Sequence, residues 1–268
     1  MTLRLSSVLR AALTAGVLAV SAAGALAQTA LTVGASPVPH AEILEFIKPA
    51  LKKEGIDLNV KIFTDYVQPN LATEDKQLDA NFFQNRPYLT AFNKERKTHV
   101  VEVPNSNVHV EPFGAYSTKI KDIKDLRQGA TVAIPNDASN GGRALLLLAK
   151  AGIITLKDAN NWFVTERDIA SNPKKLKFTP VEAAQLPRVL PDVDLALINT
   201  NYALEAKLVP TKDALLIESA DSPYANFIAA RPDNVNSPAI QKLVAALHTP
   251  AVKQFIADKY KGAIVPAF

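Results

Sequence analysis

Apolar and polar positions along the chain follow two rhythms. Residues 30–34 (ALTVG) form a short apolar run, which predicts a strand. Within residues 37–54, Ile43, Ile47 and Leu51 recur at four-residue spacing, one face of a helix, and Gly55 ends it. Leu58, Val60 and Ile62 then alternate with polar residues and predict a second strand. The same order returns as a strand at 131–134 before a helix at 141–151, and as a strand at 194–198 before a helix at 202–206. Strands alternating with helices predict parallel α/β sheets. Ser237-Pro238 and Thr249-Pro250 each offer an N-cap followed by proline at the first helical position. The two late helices are expected to be amphipathic and to pack on the first sheet. There is no internal repeat and no low-complexity tract.

The first residues depart from this pattern. Arg4 and Arg10 are followed by a small, apolar run at 11–23 and by Ala25-Leu26-Ala27, the order of a secretory signal with its small-x-small cleavage site. The run is too short to span a bilayer well. Residues 1–27 are therefore expected to be a signal peptide; removing them from 268 leaves 241 residues, and losing two arginines takes the formal charge from +4 to +2. The sequence has no cysteine, so no disulfide and no acylated cysteine is expected. These features predict a soluble periplasmic protein that is not lipid-anchored. Lys and Arg are dispersed among Asp and Glu without a basic stripe, so no nucleic-acid partner is expected.

Candidate chemistry sits at strand ends. Residues 135–143 (PNDASNGGR) leave a strand and open an apolar helix. Glycines admit close backbone approach, a helix N-terminus favours an anion, and the Arg143 fork matches a carboxylate. Two readings stand equally here. One is an anion clamp; the other is a helix capped by Asn140 or Ser139 with Arg143 solvated. Tyr66 lies in one aromatic loop (64–70), and Phe83, Asn85 and Tyr88 in another (81–89) that enters a helix at Pro87. Together they can wall an apolar slot, although any one ring reads equally as ordinary core. Asn199 ends one strand and Asn226 begins another, where an amide can donate and accept or simply form a turn.

Catalytic readings are weak. Ser36 lacks the second glycine of a nucleophile elbow, and no Gly-Lys-Ser/Thr or Gly-x-Gly-x-x-Gly is present. His40, His99, His109 and His248 lie far apart with no metal-ligand spacing, so no metal is expected. Nothing in the sequence brings Glu182 and Asp194 together. An exported α/β hydrolase remains the rival reading; it would need Ser36 or His40 to act.

Eight segments resemble the NlpA family of substrate-binding proteins, in particular its methionine-binding importer components. They include 33–49 (VGASPVPHAEILEFIKP), 64–70 (TDYVQPN), 79–89 (DANFFQNRPYL), 133–148 (AIPNDASNGGRALLLL), 198–203 (INTNYA) and 222–226 (SPYAN). The resemblance implies a type II periplasmic-binding-protein fold, with two α/β lobes around a central ligand cleft. It implies a first lobe from 28–112 and 201–268 and a second lobe from 113–200. It further implies a monomer without catalysis or cofactor that delivers a methionine-like amino acid to an ABC importer permease and, through it, the ATPase. Carried over by position, Tyr66, Phe83 and Tyr88 wall a thioether slot, Arg143 holds the ligand carboxylate, and Asn199 and Asn226 bond the amino-acid head group. Asn85 stands where the family usually has histidine beside the ligand side chain. Another small amino acid, a methionine derivative or a short peptide therefore stays open as ligand.

Overall fold

The computed structural model describes residues 28–220 and 223–268. The expected signal peptide, 1–27, lies outside the described residues. The chain first builds β1 (Thr29–Ala35), a tight turn at Pro37–Ala41, α1 (Glu42–Lys53), β2 (Ile56–Ile62), α2 (Gln68–Glu74), β3 (Ala80–Asn85), α3 (Arg86–Arg96) and β4 (Val101–Val110). It then forms β5 (Gly114–Tyr116), β6 (Thr131–Pro135), α4 (Ala138–Lys150), a ribbon of β7 (Thr155–Leu156) and β8 (Ile169–Ser171), β9 (Lys177–Val181) and α5 (Leu186–Val189). Next come β10 (Leu195–Ile198), α6 (Thr200–Glu205), α7 (Pro210–Asp213) and β11 (Leu216–Ile217). Finally β12 (Ala225–Ala230), α8 (Pro238–Leu247), α9 (Pro250–Tyr260) and β13 (Val265–Pro266) complete the chain.

Two sheets organise these elements. One has the order β13-β4-β12-β3-β1-β2, the other β11-β5-β10-β6-β9. The expectation of parallel sheets holds only in part. β1 pairs in parallel with β2 and β3, and β6 with β9 and β10. β12 runs antiparallel to β3 and β4, and β5 antiparallel to β10 and β11. The reason is connectivity: a helical crossover within one sheet imposes parallel strands, whereas β5 and β12 enter from the other sheet and escape that constraint.

The chain passes to the second sheet between Val110 and Gly114. Beyond residue 201, where the return was expected, β11 still pairs with β5 through Leu216↔Ala115 and Ile217↔Gly114. Tyr202 and Ala203 of α6 also pack with Tyr116 and Ala133 of the second sheet. A two-residue strand carries no periodic signal, so the pattern of the sequence does not reveal β11.

Each sheet has its own core. Ile43, Leu44, Ile47 and Leu51 of α1, with Leu243 and Leu247 of α8 and Val252 and Ile256 of α9, cover Leu31, Val33 and Phe82. The late helices pack on the first sheet as expected, with Ser237 accepting from the Ile240 N–H and Thr249 from the Val252 N–H. Leu145 and Leu148 of α4 bury against Val132, Leu195 and Leu197 in the second sheet. Strand ends of both sheets and Glu111 of the first crossing meet at one cleft.

Candidate ligand-binding site

All seven residues singled out from the sequence (Tyr66, Phe83, Asn85, Tyr88, Arg143, Asn199 and Asn226) line one cavity. Gln84, Glu111, Asn140, Thr200 and Asn201 line it too. Four of these five adjoin residues already singled out or lie in the same loops. Glu111 carried no signal, because it stands in an isolated crossing segment and only the fold brings it to the cleft.

The first sheet supplies the aromatic end. Ring centroids lie 5.8 Å apart for Tyr66–Phe83, 5.6 Å for Tyr66–Tyr88 and 5.8 Å for Phe83–Tyr88. Edge and tilted contacts at such spacings are favourable. The hydroxyls are anchored: Tyr88 Oη donates to the Tyr66 backbone oxygen at 2.9 Å, and Tyr66 Oη to Asn201 Oδ1 at 2.5 Å. Burial pushes both phenol pKa values upward, so both rings stay neutral. Asn85 is the N-cap of α3, its Oδ1 accepting from the Tyr88 N–H at 3.2 Å.

The second sheet supplies the polar end. Asp137, not Asn140 or Ser139, caps α4, accepting from the Asn140 N–H at 2.8 Å. The helix starts earlier than the sequence suggested, and Asn140 is already inside it. Its Nδ2 donates to Asp137, while its Oδ1 accepts from Asn199 Nδ2 at 2.9 Å. Asn199 Oδ1 is buried without a partner among the described residues. The glycines serve chain packing rather than ligand approach: a Cβ on Gly141 would meet the Pro135 oxygen at 2.8 Å, and one on Gly142 the Trp162 oxygen at 2.4 Å.

Arg143 is not solvated; it is 3% exposed. Nε and Nη2 donate to the two Glu218 oxygens at 2.8 and 2.5 Å, and Nη2 donates also to the Glu111 backbone oxygen at 2.9 Å. Its Cζ lies 4.0 Å from the Tyr224 ring centre and 5.2 Å from that of Phe113. Burial opposes the charge, but the adjoining Glu218 carboxylate more than offsets this and raises the arginine pKa. No local pattern signals this pairing, since the two residues lie 75 positions apart. The hydrogen bonds of Arg143 to described residues all come from Nε and Nη2.

Two of the histidines that lie far apart in sequence are brought together by the fold. His40 and His109 lie with ring centroids 5.0 Å apart. Their Nε2 atoms lie 3.2 and 2.9 Å from Glu111 Oε1. The turn after β1 carries His40 and β4 carries His109, adjacent in space though 69 positions apart. The three donor atoms fall within 4.8 Å of one another. At the observed spacings they form imidazole–carboxylate hydrogen bonds. Burial lowers the His40 pKa to about 4 and the His109 pKa to about 3, so both are neutral near pH 7, and burial raises that of Glu111. Glu111 Oε2 accepts from the Asn201 N–H at 3.0 Å, and His40 Nε2 lies 3.1 Å from Asn226 Oδ1. Asp194 instead pairs with Arg127 and the Thr131 N–H, and Glu182 is exposed.

Comparison with known proteins fits this architecture. The family described as NlpA lipoprotein matches residues 31–268. A probable D-methionine-binding lipoprotein MetQ of Pasteurella multocida is 44% identical over 236 residues, 88% of this chain and 85% of that one. A nutrient-binding protein from Burkholderia cenocepacia, solved bound to methionine, is 49% identical with a TM-score of 0.84, covering 89% of this chain and all of that one. An ABC-transporter periplasmic substrate-binding protein from Coxiella burnetii is 46% identical with a TM-score of 0.84, covering 88% of this chain and 100% of that one. The fold is therefore the two-lobed type II periplasmic-binding-protein fold. One expectation is overturned. A protein without a lipid anchor was inferred from the lack of cysteine, whereas the matching family and the Pasteurella relative are named lipoproteins. Composition alone does not reveal how a family is held at a membrane. From its matched length and its relatives, this chain belongs to the NlpA lipoprotein family.

Proposed function

We propose that this protein is the periplasmic substrate-binding component of an ABC importer and takes L-methionine, or a close relative, between its lobes. The observation that carries the reading is one cavity with an aromatic end of Tyr66, Phe83 and Tyr88 and a polar end containing Arg143 and Asn199. An unbranched thioether suits the aromatic slot, since sulfur–aromatic contacts are favourable there. The ligand carboxylate pairs with the Arg143 guanidinium, a charge-assisted bond. Asn199 and Asn226 bond the head group. Asn85 offers an amide beside the side chain where the family usually has histidine, so methionine derivatives belong in the test panel. The permease and, through it, the ATPase are the protein partners. We place the lobes at 28–112 with 218–268 and at 113–217, revising the second boundary to follow β11.

Calorimetric titration with a panel of amino acids, methionine derivatives and short peptides tests this reading. One-to-one binding of methionine is expected, weakened about 100-fold or more by Arg143→Ala, as truncating one side of a buried charge pair usually costs. Binding of no zwitterion, or an Arg143→Ala variant equal to wild type, sinks it. Ester or amide turnover that depends on Ser36 or His40 would instead revive a hydrolase.

A further inference from the structure

Among the described residues, two ionisable side chains besides the phenols line the ligand cavity: Arg143 and Glu111. They do not neutralise each other. Arg143 is forked onto Glu218, which lies outside the cavity wall, and it touches Glu111 only through that residue's backbone oxygen. Glu111 is buried, and its carboxylate is held by His109 Nε2 at 2.9 Å, His40 Nε2 at 3.2 Å and the Asn201 N–H at 3.0 Å. These are neutral donors, because burial keeps both imidazoles unprotonated near pH 7. Arg143 acts on this carboxylate only through space, without a side-chain hydrogen bond to it. A buried carboxylate without a directly bonded cation is costly, and a cation delivered to it recovers much of that cost. The cavity thus presents one positive and one negative group, each with separate support, to whatever enters.

We propose that Glu111 is the counter-charge for the ligand's ammonium group, and that His40 and His109 are positioning residues that aim its carboxylate. This rests on the amino-acid reading above and extends it to selection for a zwitterion. Glu111 shares the cavity wall with Asn201 and Asn226. His40 couples two of these groups, since its Nε2 lies 3.2 Å from Glu111 Oε1 and 3.1 Å from Asn226 Oδ1. An acid of the same shape without the amine leaves Glu111 unmatched and uses only the Arg143 half of the site.

The test is titration of the full chain, wild type and Glu111→Gln, with L-methionine and with the same acid lacking its α-amino group, the weak pairs followed by ligand NMR. Gln keeps the size and an acceptor oxygen. Methionine affinity is expected to fall about 100-fold, while affinity for the amine-free acid stays within about 3-fold, since only the charged pair is lost. The retained binding of the amine-free acid also shows that the variant is folded. Glu111→Asp is expected to recover part of the methionine affinity. His109→Gln is expected to narrow the ratio of the two affinities; an unchanged ratio removes its positioning role. A wild type that binds neither compound overturns the functional reading and this proposal with it. A wild type that binds methionine, with Glu111→Gln weakening both compounds alike or neither, overturns the proposal alone.

Discussion

Asn85 shows how one side chain can hold two duties. Its oxygen caps α3, and the residue also faces the ligand cavity. Asn85→Ala should cost about 1 kcal/mol of stability through the lost cap, read as a lower urea midpoint, and should also alter ligand preference. His109, together with His40, contributes a pH dependence. Its pKa is about 3 when folded, through burial, against an ordinary value of 6.5. Its native, neutral form is therefore unpenalised above pH 6.5. Below that, the unfolded chain binds a proton that the folded chain refuses, and stability is lost as pH falls toward 3. Between pH 7 and 4.5 this amounts to about 3 kcal/mol. Glu111 works in the opposite sense, because its raised pKa makes the folded chain take up a proton first on acidification. Urea midpoints at the two pH values should fall less in His109→Gln than in wild type; equal falls would refute a neutral buried imidazole.

At the scale of elements, α4 depends on its cap and on the loop that crosses it. Asp137→Ala should cost about 1–2 kcal/mol, since it removes the acceptor for the Asn140 N–H. Gly142→Ala should cost about 2 kcal/mol or more, because the new Cβ meets a backbone oxygen, that of Trp162, at 2.4 Å. Thermal melts of both variants check these values. Long periodic elements such as α1 and α8 were legible in the sequence, since a buried helical face repeats every three or four residues. The cap of α4 was misread by two or three residues, because Asp137, Ser139 and Asn140 are all good caps and only hydrogen-bond geometry chooses among them. β11 was illegible, being two residues long.

At the scale of the whole molecule, ligand and fold are linked. Methionine at a hundred times its dissociation constant should stabilise the protein by about 3 kcal/mol, a rise in Tm of about 5–10 °C for a chain of this size. Arg143→Ala should cut that rise to about 1–2 °C or less at the same methionine concentration, which scanning calorimetry would reveal. Local pattern alone determined the α/β class, the late helices with their caps, and the candidate residues clustered at strand ends. Those features follow from side-chain spacing and capping chemistry within a few residues. Tertiary structure alone decided that β12 runs antiparallel, that Arg143 leans on Glu218 75 positions away, and that His40, His109 and Glu111 meet beside Asn226. These are contacts between segments remote in the chain, so only the packing of the two sheets and the crossings between them could bring them into register.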